Sequence, residues 1–389
     1  MNQRSQIKKP AKGISNSLQW RYLNSAILLL ALVLLLWSTL NQAFIATPIN
    51  ADSSFPVMVF LGWQHVGFKY FESVNFTVDN WLLSLFPIDF ILFSLLGINV
   101  HTIILSGWLF FGISLISVAF LLSRKDRIAK FPTAIVAFCL VMLVQNVSSA
   151  YSFWYVFPVS HGISLMYCVT SVIIVIKCLE AKSWKTSISL AIILLLITLI
   201  AGLSDPWFIV AFDIPLLVAL PIYAIWNMKL SWNMLLIVFG IVLGWLVGYS
   251  QLFGLMSFLP VAPYHFATSL NTIKINAISA LQNTAGLLGL TTNAVNSFQY
   301  LLRLTIYILV LVLGLPGLFL IFVKLRKTNS TVLFAGIYFF VSSCAVFSSL
   351  VLSDIQVGQY TARYILNVPV FLLALLCLGV QQTCCILKS

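Results

Sequence analysis

A chain of 389 residues that is 61% hydrophobic and only 8% charged is not an ordinary soluble protein, because soluble domains carry about a quarter charged residues. The excess of apolar side chains predicts that most of the chain lies in a lipid bilayer. The formal net charge of +12 does not indicate a nucleic-acid partner, because the basic residues form short clusters between long apolar runs, as they do in membrane proteins.

Windows of about 20 apolar residues predict an all-α polytopic protein, with about ten membrane-spanning helices in a single integral-membrane domain, residues 1–389. The first window is long enough to span and lacks a clear small-residue cleavage site. We therefore expect a permanent first span, preceded by a cytoplasmic tail at residues 1–22. The predicted spans lie near residues 23–44, 101–122, 131–149, 162–178, 186–204, 207–227, 233–255, 303–323, 331–352 and 365–381.

The distribution of basic residues predicts the orientation of these spans. With the N-terminus in the cytoplasm, all 21 lysines and arginines except Lys69, Lys274, Arg303 and Arg363 fall on the cytoplasmic side, as the positive-inside rule requires. An even number of spans then places both termini in the cytoplasm. Most acidic residues and all four histidines fall on the outer side. The C-terminus shows no eukaryotic retrieval signal, so we expect a bacterial inner membrane and a site that faces the periplasm.

Two of the outer connections are long. The first outer loop, residues 45–100, contains apolar stretches that are too short and interrupted to span, so we expect interfacial helices there. The fourth outer loop, residues 256–302, places Ile273, Ala277 and Leu281 at helical spacing. This spacing predicts an amphipathic helix that lies in the headgroup plane.

The first outer loop contains the segment NFTVDNWLLSLFPID, in which two of the nine acidic residues of the chain stand among apolar side chains. A partly desolvated carboxylate is a stronger base, which favours a catalytic role for Asp79. The alternative is that Asp79 caps a helix that begins at Trp81. Asp89, ten residues further on, is a second candidate site residue, or else a cap or a salt-bridge partner.

Two further segments bring ionisable groups to the outer side. In GLSDPWF, Asp205 precedes Pro206 at the end of a predicted span, which indicates either a site or a structural turn. In YSFWYVFPVSHG, Trp154 belongs either to an interfacial aromatic belt or to a sugar-stacking surface. His161 in the same segment and His265 in the fourth outer loop are candidate contacts for an anion or a hydroxyl.

Cationic side chains on the outer side are candidates for binding phosphate. Arg363, in GQYTARYILNVP at the start of the last predicted span, either binds a phosphate or extends toward lipid headgroups. Arg303 and Lys274 have the same two alternatives.

This layout resembles that of the C-type (GT-C) membrane glycosyltransferases. The shared features are a first span followed directly by a long outer loop with an early acidic residue, and a late outer loop followed by Arg363-Tyr364 at the start of the final span. The resemblance covers most of the chain as topology. The segment VDNW departs from the commoner paired acidic form, which argues against the metal-dependent branch of the superfamily.

The resemblance implies transfer of a sugar from a polyprenyl-phosphate carrier, with a first-loop carboxylate, here Asp79, as the base. Such a transfer needs a base for the acceptor hydroxyl and cations for the leaving phosphate. Asp205 or His161 would aid Asp79, and Arg363 would hold the phosphate. Neither a metal nor another cofactor is expected, and the acceptor is a glycan, a lipid or a protein. Further contacts to the substrates are expected from Tyr364, Arg303, Lys274, His265, Asp89 and Trp154.

Two other functions are compatible with the sequence. In an O-antigen ligase or polymerase, His265, Lys274 and Arg303 would dominate, and replacement of Asp79 by alanine would have a mild effect. A flippase or transporter of lipid-linked glycans would need polar or charged residues near the middle of the membrane. The predicted spans are nearly free of charge at their centres, which disfavours ion-coupled transport.

Overall fold

The computed structural model describes residues 12–77, 79–123, 133–145, 152–228, 230–260, 265–290, 297–323, 330–355 and 357–387. Within these ranges the protein is all-α, without a β-strand, and a single isolated antiparallel bridge joins Phe266 and Ser353. The predicted class, a polytopic all-α membrane protein, is therefore confirmed.

The described residues form fourteen α-helices, and nine of the segments are long and apolar enough to cross a membrane. These nine correspond to predicted spans and comprise α1, α5, α7, α8, α9 with the π-helical turn before it, α10, α12, α13 and α14. In chain order the helices are α1 (Lys12–Ala46), α2 (Ala51–Val66), α3 (Lys69–Ser73), α4 (Phe86–Leu96), α5 (Val100–Ser123), α6 (Thr133–Gln145), α7 (Gly162–Glu180), α8 (Trp184–Ser204), α9 (Ile214–Asn227), α10 (Trp232–Tyr249), α11 (Leu270–Leu287), α12 (Ser297–Val323), α13 (Ser330–Leu352) and α14 (Asn367–Ile386).

The remaining predicted span, near residues 131–149, corresponds to α6. The described part of this span has 13 residues, which extend about 20 Å at 1.5 Å per residue. Residues 131–132 and 146–149 of this prediction lie outside the described residues, as do the basic clusters at 124–130 and 324–327. Within the bundle, α6 packs against α1, α12 and α14.

The bundle is built around α14, which is buried along most of its length and packs against α6, α12 and α13. Small residues allow α12 to approach it closely. A Cβ added to Gly317 would lie 1.8 Å from the carbonyl oxygen of Gly379, and one added to Gly379 would lie 2.0 Å from that of Gly314. A larger side chain would push the helices apart, which is why small residues are typical of contacts between membrane helices.

The first outer loop contains three helices, α2, α3 and α4, none of which is long enough to span. Asn50 caps α2, because its side chain accepts a hydrogen bond from the Ser53 amide while the Ser53 hydroxyl accepts one from the Asn50 amide. Helix α4 begins at Phe86 with Pro87 in its first turn, where proline is favoured. Short helices in this loop are as predicted, and their interfacial position stays a prediction.

Helix α11 lies in the fourth outer loop, as predicted, but its buried face differs from the predicted apolar stripe. Asn276, Ala280 and Asn283 are buried, whereas Leu281 is 60% exposed and Ile273 is half-buried. The two asparagines face inward because their amides hydrogen-bond to main-chain oxygens of the segment that precedes α14. Apolar side chains on the opposite face can contact lipid without such partners.

Candidate functional site

Three helix ends meet at one end of the bundle and bring ionisable residues together. His161 immediately precedes α7, Asp205 immediately follows α8, and Arg363 with Tyr364 lies in the 3-10 turn (Gln359–Ile365) before α14. Asp79 reaches the same place from the connection between α3 and α4. We call Asp79, His161 and Asp205 the acid–histidine cluster.

Asp205 is fixed by the turn that ends α8. Its amide donates to the Ala201 carbonyl at 2.8 Å, which closes the last turn of the helix, and Pro206 then prevents continuation. The Oδ1 atom accepts a hydrogen bond from the Trp207 amide at 3.0 Å, as in the turns that aspartate commonly forms. The second carboxylate oxygen, Oδ2, is therefore free to face α7.

Asp205 and His161 form a buried hydrogen-bonded pair. The His161 Nδ1 atom lies 2.7 Å from Asp205 Oδ2. The Ser164 hydroxyl, in the first turn of α7, donates to the same oxygen. An ionised carboxylate only accepts hydrogen bonds, so with Asp205 in that form the Nδ1 atom is the donor. This arrangement orients the imidazole ring and directs its other nitrogen, Nε2, away from Asp205.

Asp79 faces the Nε2 atom of His161, with 3.7 Å between Nε2 and Asp79 Oδ2. The side chain of His161 is 3% exposed and that of Asp205 is 2% exposed, whereas the side chain of Asp79 is 25% exposed. Asp79 is therefore the member of the cluster that an incoming substrate can reach.

The position of Asp79 depends on the residues that follow it. The Asn80 side-chain amide donates to the Leu203 carbonyl at 2.7 Å, and the Trp81 amide donates to the Ser204 carbonyl at 3.2 Å. The last carbonyls of a helix have no partner within it. The first outer loop thus supplies donors to the end of α8, and this attachment places Asp79 beside His161.

The alternative interpretation of Asp79 as a helix cap is wrong. Trp81 adopts a left-handed backbone with φ of 57°, and the next helix begins only at Phe86. Such a conformation is unfavourable for a bulky residue and persists where surrounding contacts impose it. The buried Trp81 ring lies 5.5 Å from the His161 ring, centroid to centroid.

The surroundings of Asp79 alter its acidity. Burial raises the pKa of Asp79 above its ordinary value. His161 opposes part of that rise in pKa, Asp205 adds to it, and Arg363 opposes it more weakly. A carboxylate with a raised pKa is a stronger base, as the sequence prediction for Asp79 requires.

Tyr364 connects the cluster to Arg363. Its ring lies 4.4 Å from the His161 ring, and its carbonyl accepts a hydrogen bond from the Trp207 indole at 2.7 Å. The Arg363 guanidinium lies over the Tyr364 ring, 5.2 Å from the ring centroid. Arg363 is half-buried, and its Nε atom has no hydrogen-bond partner among the described residues. A fixed cation therefore stands next to the acid–histidine cluster.

Asp89 is not part of this cluster. It is 1% exposed in the first turn of α4, near Ser106, and neither carboxylate oxygen has a hydrogen-bond partner within the described structure. Burial raises the pKa of Asp89 to about 8. It is neither a helix cap nor a salt-bridge partner in the described structure. Asp213, in the π-helical turn before α9, is likewise buried.

Trp154 does not form an exposed sugar-stacking surface, which corrects that expectation. The residue is 5% exposed, and its ring packs against Phe153 and Phe157 at centroid distances of 4.5 and 5.4 Å. The segment that contains it folds into a 3-10 turn against α1 and α5. Its aromatic side chains therefore contribute to the core rather than to a substrate surface.

The three candidates of the fourth outer loop and α12 lie elsewhere. His265 and Lys274 are exposed, and the His265 carbonyl accepts a hydrogen bond from the Asp354 amide. Arg303 is fully buried in α12 and donates to the Gly289 carbonyl. None of the three has a described contact with the acid–histidine cluster, so a phosphate-binding role for them beside Arg363 has no support in the geometry.

Sequence reasoning did not identify Asn80, Trp81, Ser164 and Trp207 as parts of the site. Ser164 follows His161 by three residues, so both lie on one face of the first turn of α7. Asn80 and Trp81 adjoin Asp79, and Trp207 adjoins Pro206. Proximity in sequence to the predicted residues was the available signal.

One ligand atom from each member of the cluster can be chosen so that the three atoms lie within 4.8 Å of one another, which would allow a divalent cation to bind. The expectation that no metal takes part stays a prediction.

No protein-family model, curated protein or solved structure matches this chain.

Proposed function

We propose that this protein is a membrane glycosyltransferase that moves a sugar from a polyprenyl-phosphate carrier to an acceptor hydroxyl. The observation that carries the proposal is that Asp79 faces the His161–Asp205 pair while Arg363 lies on the adjoining Tyr364 ring. A base and a cation side by side are the two groups that transfer from a phosphate leaving group requires.

In the proposed reaction the acceptor oxygen forms a bond to the anomeric carbon of the sugar. The bond between that carbon and the phosphate oxygen breaks, and its electron pair stays on the leaving phosphate. Asp79 takes the proton of the acceptor hydroxyl, and Arg363 stabilises the charge of the phosphate. A single displacement of this kind inverts the configuration of the anomeric carbon.

His161 and Asp205 position and support the base. Because Nδ1 donates to Asp205, the Nε2 atom faces Asp79 and can share the proton that Asp79 has taken. The negative charge of Asp205 stabilises a positively charged imidazole. The pair therefore holds one additional proton close to the reacting atoms until it is released.

The site is proposed to face the non-cytoplasmic side of a bacterial inner membrane. The support is the charge distribution, since nearly all lysines and arginines fall on the side opposite to the cluster when the predicted spans alternate. The ligase or polymerase alternative depends on His265, Lys274 and Arg303. The exposure of the first two and the bonding of Arg303 to Gly289 give that alternative less support.

The proposal is tested by a transfer assay in membranes with a labelled polyprenyl-phosphate sugar. Asp79→Asn removes the base and is expected to lower the rate of transfer by roughly 10²- to 10⁴-fold, with a comparable loss in Arg363→Ala. Asp354→Asn, which changes an exposed aspartate outside the cluster, is the matched control and should retain the wild-type rate. Wild-type rates in both Asp79→Asn and Arg363→Ala would refute the mechanism.

The pH dependence sharpens this test. Asp79 accepts a proton only when ionised, so the rate of transfer should fall as the pH drops through its raised pKa. Arg363 lowers the pKa of Asp79. In Arg363→Gln the low-pH side of the rate profile, the acid limb, should therefore move to higher pH. Asp205 raises that pKa, so Asp205→Asn should move the limb to lower pH. A limb that stays in place in both variants would mean that Asp79 is not the titrating group.

A further inference from the structure

An apolar cavity of about 230 Å³ lies among the three helices of the first outer loop, where it is lined by residues from Trp63 in α2 to Phe90 in α4. Its lining residues are all apolar or aromatic, among them Leu82, Leu83 and Phe86, and Met256 contributes to the lining from the connection after α10. A cavity without polar partners does not hold water well. It is therefore suited to an apolar group.

Two of the residues that line the cavity are close in sequence to residues of the site, and a third is exposed at the surface of the protein. Leu82 and Leu83 directly follow Trp81, whose ring contacts His161, and the Leu83 amide donates to the hydroxyl of Ser204, the neighbour of Asp205. Phe68, which also lines the cavity, is 69% exposed. A ligand that ran from Leu82 to Phe68 would have one end near the segment that holds Asp79 and the other end at the surface of the protein.

We propose that this cavity, the tail cavity, binds the part of the donor's isoprenoid chain that adjoins the phosphate. The inference rests on the proposed function and adds to it the path of the lipid. An apolar cavity whose lining includes Leu82, three residues after Asp79, together with the Arg363 cation on the Tyr364 ring, matches an amphiphile with an anionic head and an apolar chain.

The volume limits how much of the chain enters. At roughly 30 Å³ for a group the size of a water molecule, the tail cavity holds about seven or eight such groups, which corresponds to the carbon atoms of one to two isoprene units. The rest of the chain leaves beside Phe68 toward the bilayer. The apparent affinity for the donor should therefore rise with chain length up to about two isoprene units and then level off.

The experiment uses the full chain in lipid nanodiscs and a two-unit isoprenyl phosphate that carries a photoactivatable diazirine in its chain. We expect crosslinks at Leu82, Leu83 or Phe86, and competition by unlabelled isoprenyl phosphate. Met256→Trp fills the tail cavity and should reduce this labelling at least fivefold. Leu255→Trp places the same side chain at a neighbouring residue that is 82% exposed, and it should leave labelling unchanged.

The outcomes separate this proposal from the proposed function. Crosslinks confined to other surfaces, or equal loss in Met256→Trp and Leu255→Trp, would overturn the tail cavity as the binding site while sugar transfer could still depend on Asp79. Labelling that a diazirine phospholipid matches, and that isoprenyl phosphate does not compete for, would identify a site for bilayer lipid and also overturn the proposal. Competed labelling at the tail cavity in a protein that transfers no sugar would refute the proposed function alone.

Discussion

Two buried asparagines, Asn80 and Asn283, attach the two long outer loops to the helical bundle by the same chemistry. Asn80 donates to the Leu203 carbonyl at the end of α8 at 2.7 Å, and Asn283 donates to the Gly358 carbonyl at 2.9 Å. Asn80 satisfies an oxygen that the end of α8 leaves without a partner in the helix, whereas the Gly358 carbonyl also accepts hydrogen bonds from the amide and the hydroxyl of Thr361. A side-chain amide in each loop therefore stabilises the boundary between loop and bundle.

The two attachments differ in what they position. Asn80 is next to Asp79 and fixes it beside the His161–Asp205 pair. Asn283 fixes the start of the 3-10 turn that presents Arg363, and this segment has additional supports, since Thr361 and Gly358 bond to each other and Trp207 donates to the Tyr364 carbonyl. The first attachment positions the proposed base. The second is one of several contacts that position the proposed phosphate-binding group.

Among variants that test this comparison of the two loops, the largest effect is expected from Asn80→Ala. The variant leaves the Leu203 carbonyl without this donor, at a cost of about 1–3 kcal/mol in the free energy of unfolding, and frees Asp79 to move. A displacement of about 1 Å at a reacting group lowers rates by roughly 10²-fold. Measurement of the rate of sugar transfer in membranes should show such a loss with the apparent affinity for the donor little changed.

Asn233→Ala is the matched control for this variant. Asn233 donates to the Ala181 carbonyl at 3.0 Å, at the end of α7 opposite to His161. It should show a similar loss of thermal stability and a wild-type rate of transfer. If Asn233→Ala lowers transfer as strongly as Asn80→Ala, the effect is a general loss of stability and the positioning role of Asn80 is refuted.

A smaller effect is expected from Asn283→Ala. The remaining contacts of Thr361 and Trp207 keep the turn in place, so Arg363 loses only part of its positional restraint. We expect KM for the donor to rise about 5- to 10-fold, roughly 1 kcal/mol, with kcat reduced less than threefold. Steady-state kinetics would distinguish this from a result in which kcat falls and KM does not, which would contradict a role in binding phosphate.

The smallest effect is expected from His265→Ala and Lys274→Ala. Both side chains are exposed and have no described contact with the cluster, so each variant should transfer sugar at a rate within about twofold of wild type. The same membrane assay measures it. A loss of 10²-fold or more in either variant, together with a mild effect of Asp79→Ala, would favour the ligase or polymerase alternative over the proposed mechanism.

The fold was largely predictable because hydropathy is a local property. A run of about 20 apolar residues must form a helix in lipid, where unpaired main-chain groups are costly, whatever its neighbours are. Nine predicted spans follow from this argument. The buried face of α11 was not predictable in the same way, because Asn276 and Asn283 face inward only on account of carbonyl groups some 75 residues away in sequence.

The residues of the candidate site show the same division. The sequence alone determined that Asp79, His161 and Asp205 stand at the ends of apolar runs, through its composition and the position of Pro206. Only the tertiary structure decided that these three come together, that Tyr364 links them to Arg363, and that Trp154, Asp89 and Arg303 are buried apart from them. The physical reason is that the partners of a side chain depend on how helices pack and on which main-chain oxygens their ends leave free, and neither is encoded within a local window of sequence.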